Sequence, residues 1–63
     1  MKLHEERVVV EKRELDQKIG KLEAFLCGST FESLDIKDKS LLAYQLRVMQ
    51  NYSAILGERI GRF

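Results

Sequence analysis

Sixty-three residues make at most one domain, and eleven Lys and Arg against ten Asp and Glu leave a net charge of +1. That balance holds in both halves, with six of each sign in residues 1–27 and five basic against four acidic in residues 28–63, so no basic stripe exists to bind long nucleic acid by counterion release. The single cysteine, Cys27, excludes an internal disulfide, and no Cys/His cluster is spaced to hold zinc.

A chain this short buries only about 60% of the surface it exposes when unfolded, so it needs a staple or a partner. With disulfide and metal set aside, oligomerisation is what remains. The start, Met1-Lys2-Leu3-His4-Glu5-Glu6, lacks the apolar core of a signal peptide, and no stretch approaches the ~20 apolar residues of a membrane span. These features, with one free thiol, lead us to expect a cytoplasmic protein.

From Leu3 to Cys27 charged and apolar residues interleave with helical period: Val8, Leu15, Ile19, Leu22 and Leu26 are three, four or seven apart. Val8, Val9 and Val10 oppose helix locally through their stiff side chains, but length and the surrounding helix formers outweigh them. Lys12 interrupts the apolar seam, and its stem can cover the seam while the ammonium reaches out. Glu14 with Lys18, and Glu58 with Arg62, have the i,i+4 spacing of helical ion pairs.

Gly28 is expected to end the first helix at positive φ. Ser29 followed by Glu32 then reads as a capping box ahead of one helical turn over residues 29–34 carrying Phe31 and Leu34. Asp35 is the expected N-cap of a second long helix over residues 36–61. Gly57 and Gly61 cost roughly 1 kcal/mol each inside a helix, so its end is expected to fray after Gly57 unless another chain packs there.

The second helix carries two apolar stripes. Leu42, Leu46, Met49, Leu56, Ile60 and Phe63 form one; Leu41, Val48, Tyr52 and Ile55 form the other. Together they are wider than the ~100° that a single partner helix covers. Two helices of about 25 residues with a short connection must lie antiparallel, with facing residue numbers summing to about 64. Lys12 then falls opposite Tyr52, Glu5 opposite Arg59 and Ile19 opposite Gln45. The expected fold is an all-α antiparallel helical hairpin, one domain over residues 1–63, assembling into a homo-oligomeric bundle through the second stripe.

Catalysis has little support. Cys27 and the sole histidine, His4, fall near opposite ends of the hairpin, and Cys27 reads as a small, buried or half-buried residue. No phosphate loop, HExxH, EF-hand or zinc spacing is present, so no catalytic residue, metal or cofactor is expected. Gln45, Tyr52 and Arg59, at heptad spacing, form a polar line that the register brings to Lys12. Two readings of it are open. In one the four residues are packing and ion pairs at a helix contact. In the other they line a pocket between subunits, where the ring stacks on a base, guanidinium and ammonium hold phosphates and the amide reads a base edge.

Residues 7–26 and 45–60 resemble a group of very small helical-hairpin proteins of tailed and crAss-like phages and prophages. The matching positions include Arg7, Val8, Glu11, Lys12, Glu14 and Leu15 in the first half, with Gln45, Leu46, Met49, Tyr52, Leu56, Arg59 and Ile60 in the second. More distantly the chain resembles the hairpin sponges by which phages defeat CBASS and Thoeris immunity, although the ligand residues of those proteins do not align onto it. This resemblance implies a phage counter-defence protein in the host cytoplasm. It would sequester a cyclic oligonucleotide or cyclic ADP-ribose signal uncleaved, with Lys12, Gln45, Tyr52 and Arg59 as candidate ligand residues by register. The alternative is a helical module that binds a host protein through its apolar face. A nucleic-acid binder would require a basic patch created by assembly.

Overall fold

A computed structural model describes residues 2–63. All its regular structure is helical: α1 spans Leu3–Leu26, α2 Ser29–Glu32 and α3 Ile36–Gly61. The two long helices run antiparallel as a hairpin with α2 at its closed end. The result is a rod measuring 46 × 14 × 13 Å.

Local chemistry sets each terminus. The Glu5 carboxylate accepts the Lys2 backbone N–H at 3.0 Å, and Glu5 and Glu6 place negative charge on the first turn of α1, where the helix dipole favours it. The expectation at the other end of α1 needs correcting. Cys27 caps the helix in right-handed geometry, and Gly28 has φ −94° and ψ 168°, extended backbone open to any residue. Gly28 is in turn the N-cap of α2, so Ser29 is already helical and the expected Ser29–Glu32 capping box does not form. Ser33 closes the short helix by donating its hydroxyl to the Thr30 carbonyl at 2.7 Å. Phe31 on α2 meets Phe25 edge to face, with centroids 6.4 Å apart, and the Lys39 ammonium lies 5.7 Å from the Phe31 ring centre.

Asp35 caps α3, its carboxylate accepting the Asp38 N–H at 3.0 Å. The helix does not fray at Gly57 but continues through Gly61. Gly57 marks a close approach: a Cβ there would sit 3.3 Å from Cε of Lys12, so the lysine stem crosses α3 where there is no side chain.

The first stripe of α3 faces α1. Leu56 is completely buried and Val8 is 7% exposed; Leu42, Leu46, Met49 and Ile60 are half-buried. Phe63, assigned to that stripe by periodicity, lies beyond the helix and is exposed. Leu41, Val48, Tyr52 and Ile55 remain between 41% and 55% exposed, so one chain leaves the second stripe open to solvent. Among the described residues Leu56 and Val8 are the whole buried apolar core, a small one for a chain of this length.

The expected i,i+4 pairs Glu14–Lys18 and Glu58–Arg62 do not form. Among the described residues the ion pairs are Lys12–Asp16 at 2.9 Å and Lys39–Glu32 at 3.9 Å.

Candidate functional site

The level at which α1 and α3 cross decides which polar side chains meet. Lys12 faces Ser53 rather than Tyr52, donating to its hydroxyl at 3.0 Å and to Asp16 at 2.9 Å. Ser53 in turn donates to Asp16 at 2.5 Å. The three side chains form a closed ring of hydrogen bonds across the interface. Ser53 is the one buried polar residue among those described. Its hydroxyl both donates and accepts, which is what a polar group in that position requires. Lys12 is therefore neutralised in place, with its stem over Gly57 and its ammonium shared.

The hydrogen bond from Ser53 and the proximity of Lys12 hold the Asp16 carboxyl below its ordinary value of 3.8. A depressed folded-state value means that the ring's contribution is present above that pH and is lost as acid protonates the folded carboxylate.

Tyr52 lies on the neighbouring flank of α3 and donates its hydroxyl to Glu11. The Glu11 hydrogen bond, burial and the Glu11 charge raise the phenol above 10.0, while the positive charge of Arg59 acts in the opposite sense. The sign is that of a group held protonated by the fold: the stabilisation is complete below pH 10 and is lost as pH rises through the folded value. In an ultraviolet titration with Tyr44→Phe removing the other phenol, Tyr52 should ionise above the unfolded chain's tyrosine, and Glu11→Gln should bring it down. An unshifted Tyr52 would mean that the Glu11 bond does not form in solution.

Gln45, Tyr52 and Arg59 are all exposed and follow one another along α3 at intervals of about 10.5 Å. Gln45 reaches only the Met49 sulfur, at 3.9 Å. Arg59 occupies the last turn, where the helix dipole favours a cation. Glu5 and Arg59, which the register sets opposite each other, form no ion pair within the chain; the Glu5 carboxylate is engaged by its own helix start. The structure thus keeps Gln45, Tyr52 and Arg59 on one face and places Lys12 apart from them. An open groove beside Lys12 is lined by Val9, Arg13, Asp16, Gln17 and Ile60, and includes no member of the polar line.

Sequence reasoning missed Ser53, Asp16 and Glu11. A signal for the first two existed: Ser53 fills the gap between Met49 and Leu56 in the buried stripe, and Asp16 follows Lys12 by one helical turn.

The arrangement can stack, donate hydrogen bonds and hold negative charge. His4 and Cys27 are separated by nearly the whole of α1, about 35 Å, so they do not form a nucleophile–base pair within the chain. Cys27 is exposed, contrary to its expected burial. No group of three or more candidate metal ligands occurs among the described residues, and among them no helix is long and apolar enough to cross a membrane.

No curated protein and no solved structure matches the chain significantly. A family model described as Sequestin matches residues 2–62. Since that match runs over nearly the whole hairpin, both long helices and the turn between them, the chain belongs to the Sequestin family.

Proposed function

We propose that this protein sequesters a small anionic signal, a host immune nucleotide of the cyclic oligonucleotide or cyclic ADP-ribose type, and holds it uncleaved as a phage counter-defence protein in the host cytoplasm. The observation that carries the reading is the open face of α3, where Tyr52 and Arg59 stand exposed beside apolar side chains that the hairpin leaves uncovered. The family name points the same way, toward binding rather than turnover. An aromatic face offers a base a stacking surface, and a guanidinium offers phosphate two parallel hydrogen bonds. Gln45 on the same face would read a base edge. Lys12, occupied by Asp16 and Ser53, would contribute only if ligand displaced those partners.

The test is thermal unfolding against a panel of cyclic dinucleotides, cyclic trinucleotides and cyclic ADP-ribose isomers. A ligand that binds only the folded state, present at a hundred times its dissociation constant, adds about 2.7 kcal/mol. The compound that raises the midpoint should be recovered intact after denaturation; a cleaved product would overturn the reading. The same exposed face favours a second reading, a module that covers a host protein with its apolar stripe. A flat response across the panel together with capture of one host protein would select it.

A further inference from the structure

Tyr52 and Glu11 tie the two long helices together on one side of the rod, and that bond fixes which cations share the side with it. Arg7 precedes Glu11 by four residues and so stands on the same face of α1, one turn nearer the open end of the hairpin. The two border one hollow, with Leu3 and Val10. Arg59 follows Tyr52 by seven residues on α3 and lies near enough for its charge to act on the phenol. Because the helices run antiparallel, both arginines lie on the open-end side of the Tyr52–Glu11 bond, about 6 Å and 10.5 Å along the rod from it. Packed helices lie about 8–10 Å apart, so the two backbones come within about 10 Å of each other at these residues. Two arginine side chains can close that gap on one anion.

Neither guanidinium forms an ion pair within the chain. Glu11, at the i,i+4 spacing that ordinarily pairs with Arg7, receives the Tyr52 hydroxyl instead. Glu5, opposite Arg59, accepts the Lys2 backbone N–H. Glu6 and Glu14 also border the hollow and pair with neither arginine. Two forked cations from different helices are thus left exposed on one side of the rod.

We infer that Arg7 of α1 and Arg59 of α3 form a clasp for the phosphate groups of a ligand, one guanidinium from each helix, with the Tyr52 ring beside it for a base. A guanidinium presents two parallel N–H donors to a phosphate, which the compact ammonium of a lysine does not. Since the clasp draws on both helices, it is complete only in the closed hairpin, and a ligand held there stabilises the pairing of α1 with α3. This deepens the proposed function by adding Arg7 to its site, and rests on it only for the ligand's being a nucleotide.

The test uses inorganic pyrophosphate, which offers phosphates without a base, and reads the Nε–Hε signals of the five arginines by proton–nitrogen NMR at constant ionic strength. Arg7 and Arg59 should shift together along one saturation curve, while Arg13, which borders the groove beside Lys12, stays still. Arg7→Ala should weaken the Arg59 response at least about 10-fold. Lys18→Ala removes the same charge from α1 about 16 Å away, beyond the screening length, and should change it less than about twofold. Circular dichroism establishes beforehand that each variant keeps its helices. Response of one of the two arginines without the other, an equal response of all five, or no response overturns the clasp. A nucleotide that stabilises Arg7→Ala as much as the wild type, but not Arg59→Ala, retains the proposed function and removes Arg7 from it. Pyrophosphate held by both arginines, with no nucleotide of the panel raising the midpoint, retains the clasp and removes the nucleotide reading.

Discussion

Leu56→Ala should lower the thermal midpoint by roughly 10 °C or more and leave the chain close to unfolded at room temperature. Among the described residues Leu56 is the one completely buried side chain. Truncating a buried leucine typically costs about 2–5 kcal/mol, because transfer energy is lost and a cavity remains. A chain of this length has only about 3–9 kcal/mol of total stability at the usual range per residue. Each kilocalorie moves the midpoint of so small a domain by roughly 4–8 °C. Ile36→Ala is the control: that side chain is 78% exposed, and the change should stay within about 0.5 kcal/mol. Denaturation followed by circular dichroism reads both variants, and equal midpoints would mean that Leu56 is not the core the structure makes it.

Arg59→Ala should weaken nucleotide binding about 10- to 150-fold while leaving the fold nearly as stable as before. A hydrogen bond to a charged group is worth about 1.5–3 kcal/mol, which sets that range. Arg59 is exposed and lies outside the ion pairs formed within one chain, so little folding energy depends on it. Lys12→Met should show the opposite pattern. It removes the ammonium shared by Asp16 and Ser53, and should destabilise the hairpin while keeping nucleotide affinity. Isothermal titration beside thermal unfolding separates the two effects. If Lys12→Met abolishes binding in a folded protein and Arg59→Ala does not, the site belongs in the groove beside Lys12 rather than on the open face of α3.

The contrast between these two cations shows which parts of the molecule periodicity could supply. The helices and the first stripe of α3 were legible because burial repeats every three to four residues, and Leu42, Leu46, Met49, Leu56 and Ile60 keep that rhythm. Asp35 was legible because a cap is local chemistry, set by one side chain and the N–H three residues on. The partners of Lys12 were not. Periodicity gives the facing sides of two helices but fixes their relative height only to about a turn, and within a turn Lys12 could have met Tyr52 or Ser53. The turn misled for a related reason: a glycine after a helix suggests left-handed backbone, whereas this chain closes through extended Gly28 and the aromatic contact of Phe25 with Phe31. The open second stripe was foreseeable, because its width exceeded what one neighbouring helix could cover.

The rod shape bears on how the number of copies should be counted. The radius of gyration is 14.5 Å, against about 10.6 Å for a compact chain of this length, and the long dimension exceeds three times either short one. Such a particle meets more friction in solution than a sphere of 7.3 kDa, so on a size-exclusion column calibrated with globular standards a single hairpin elutes early, at the position of a heavier protein. Light scattering or sedimentation equilibrium, whose readout is mass and not drag, gives the copy number directly.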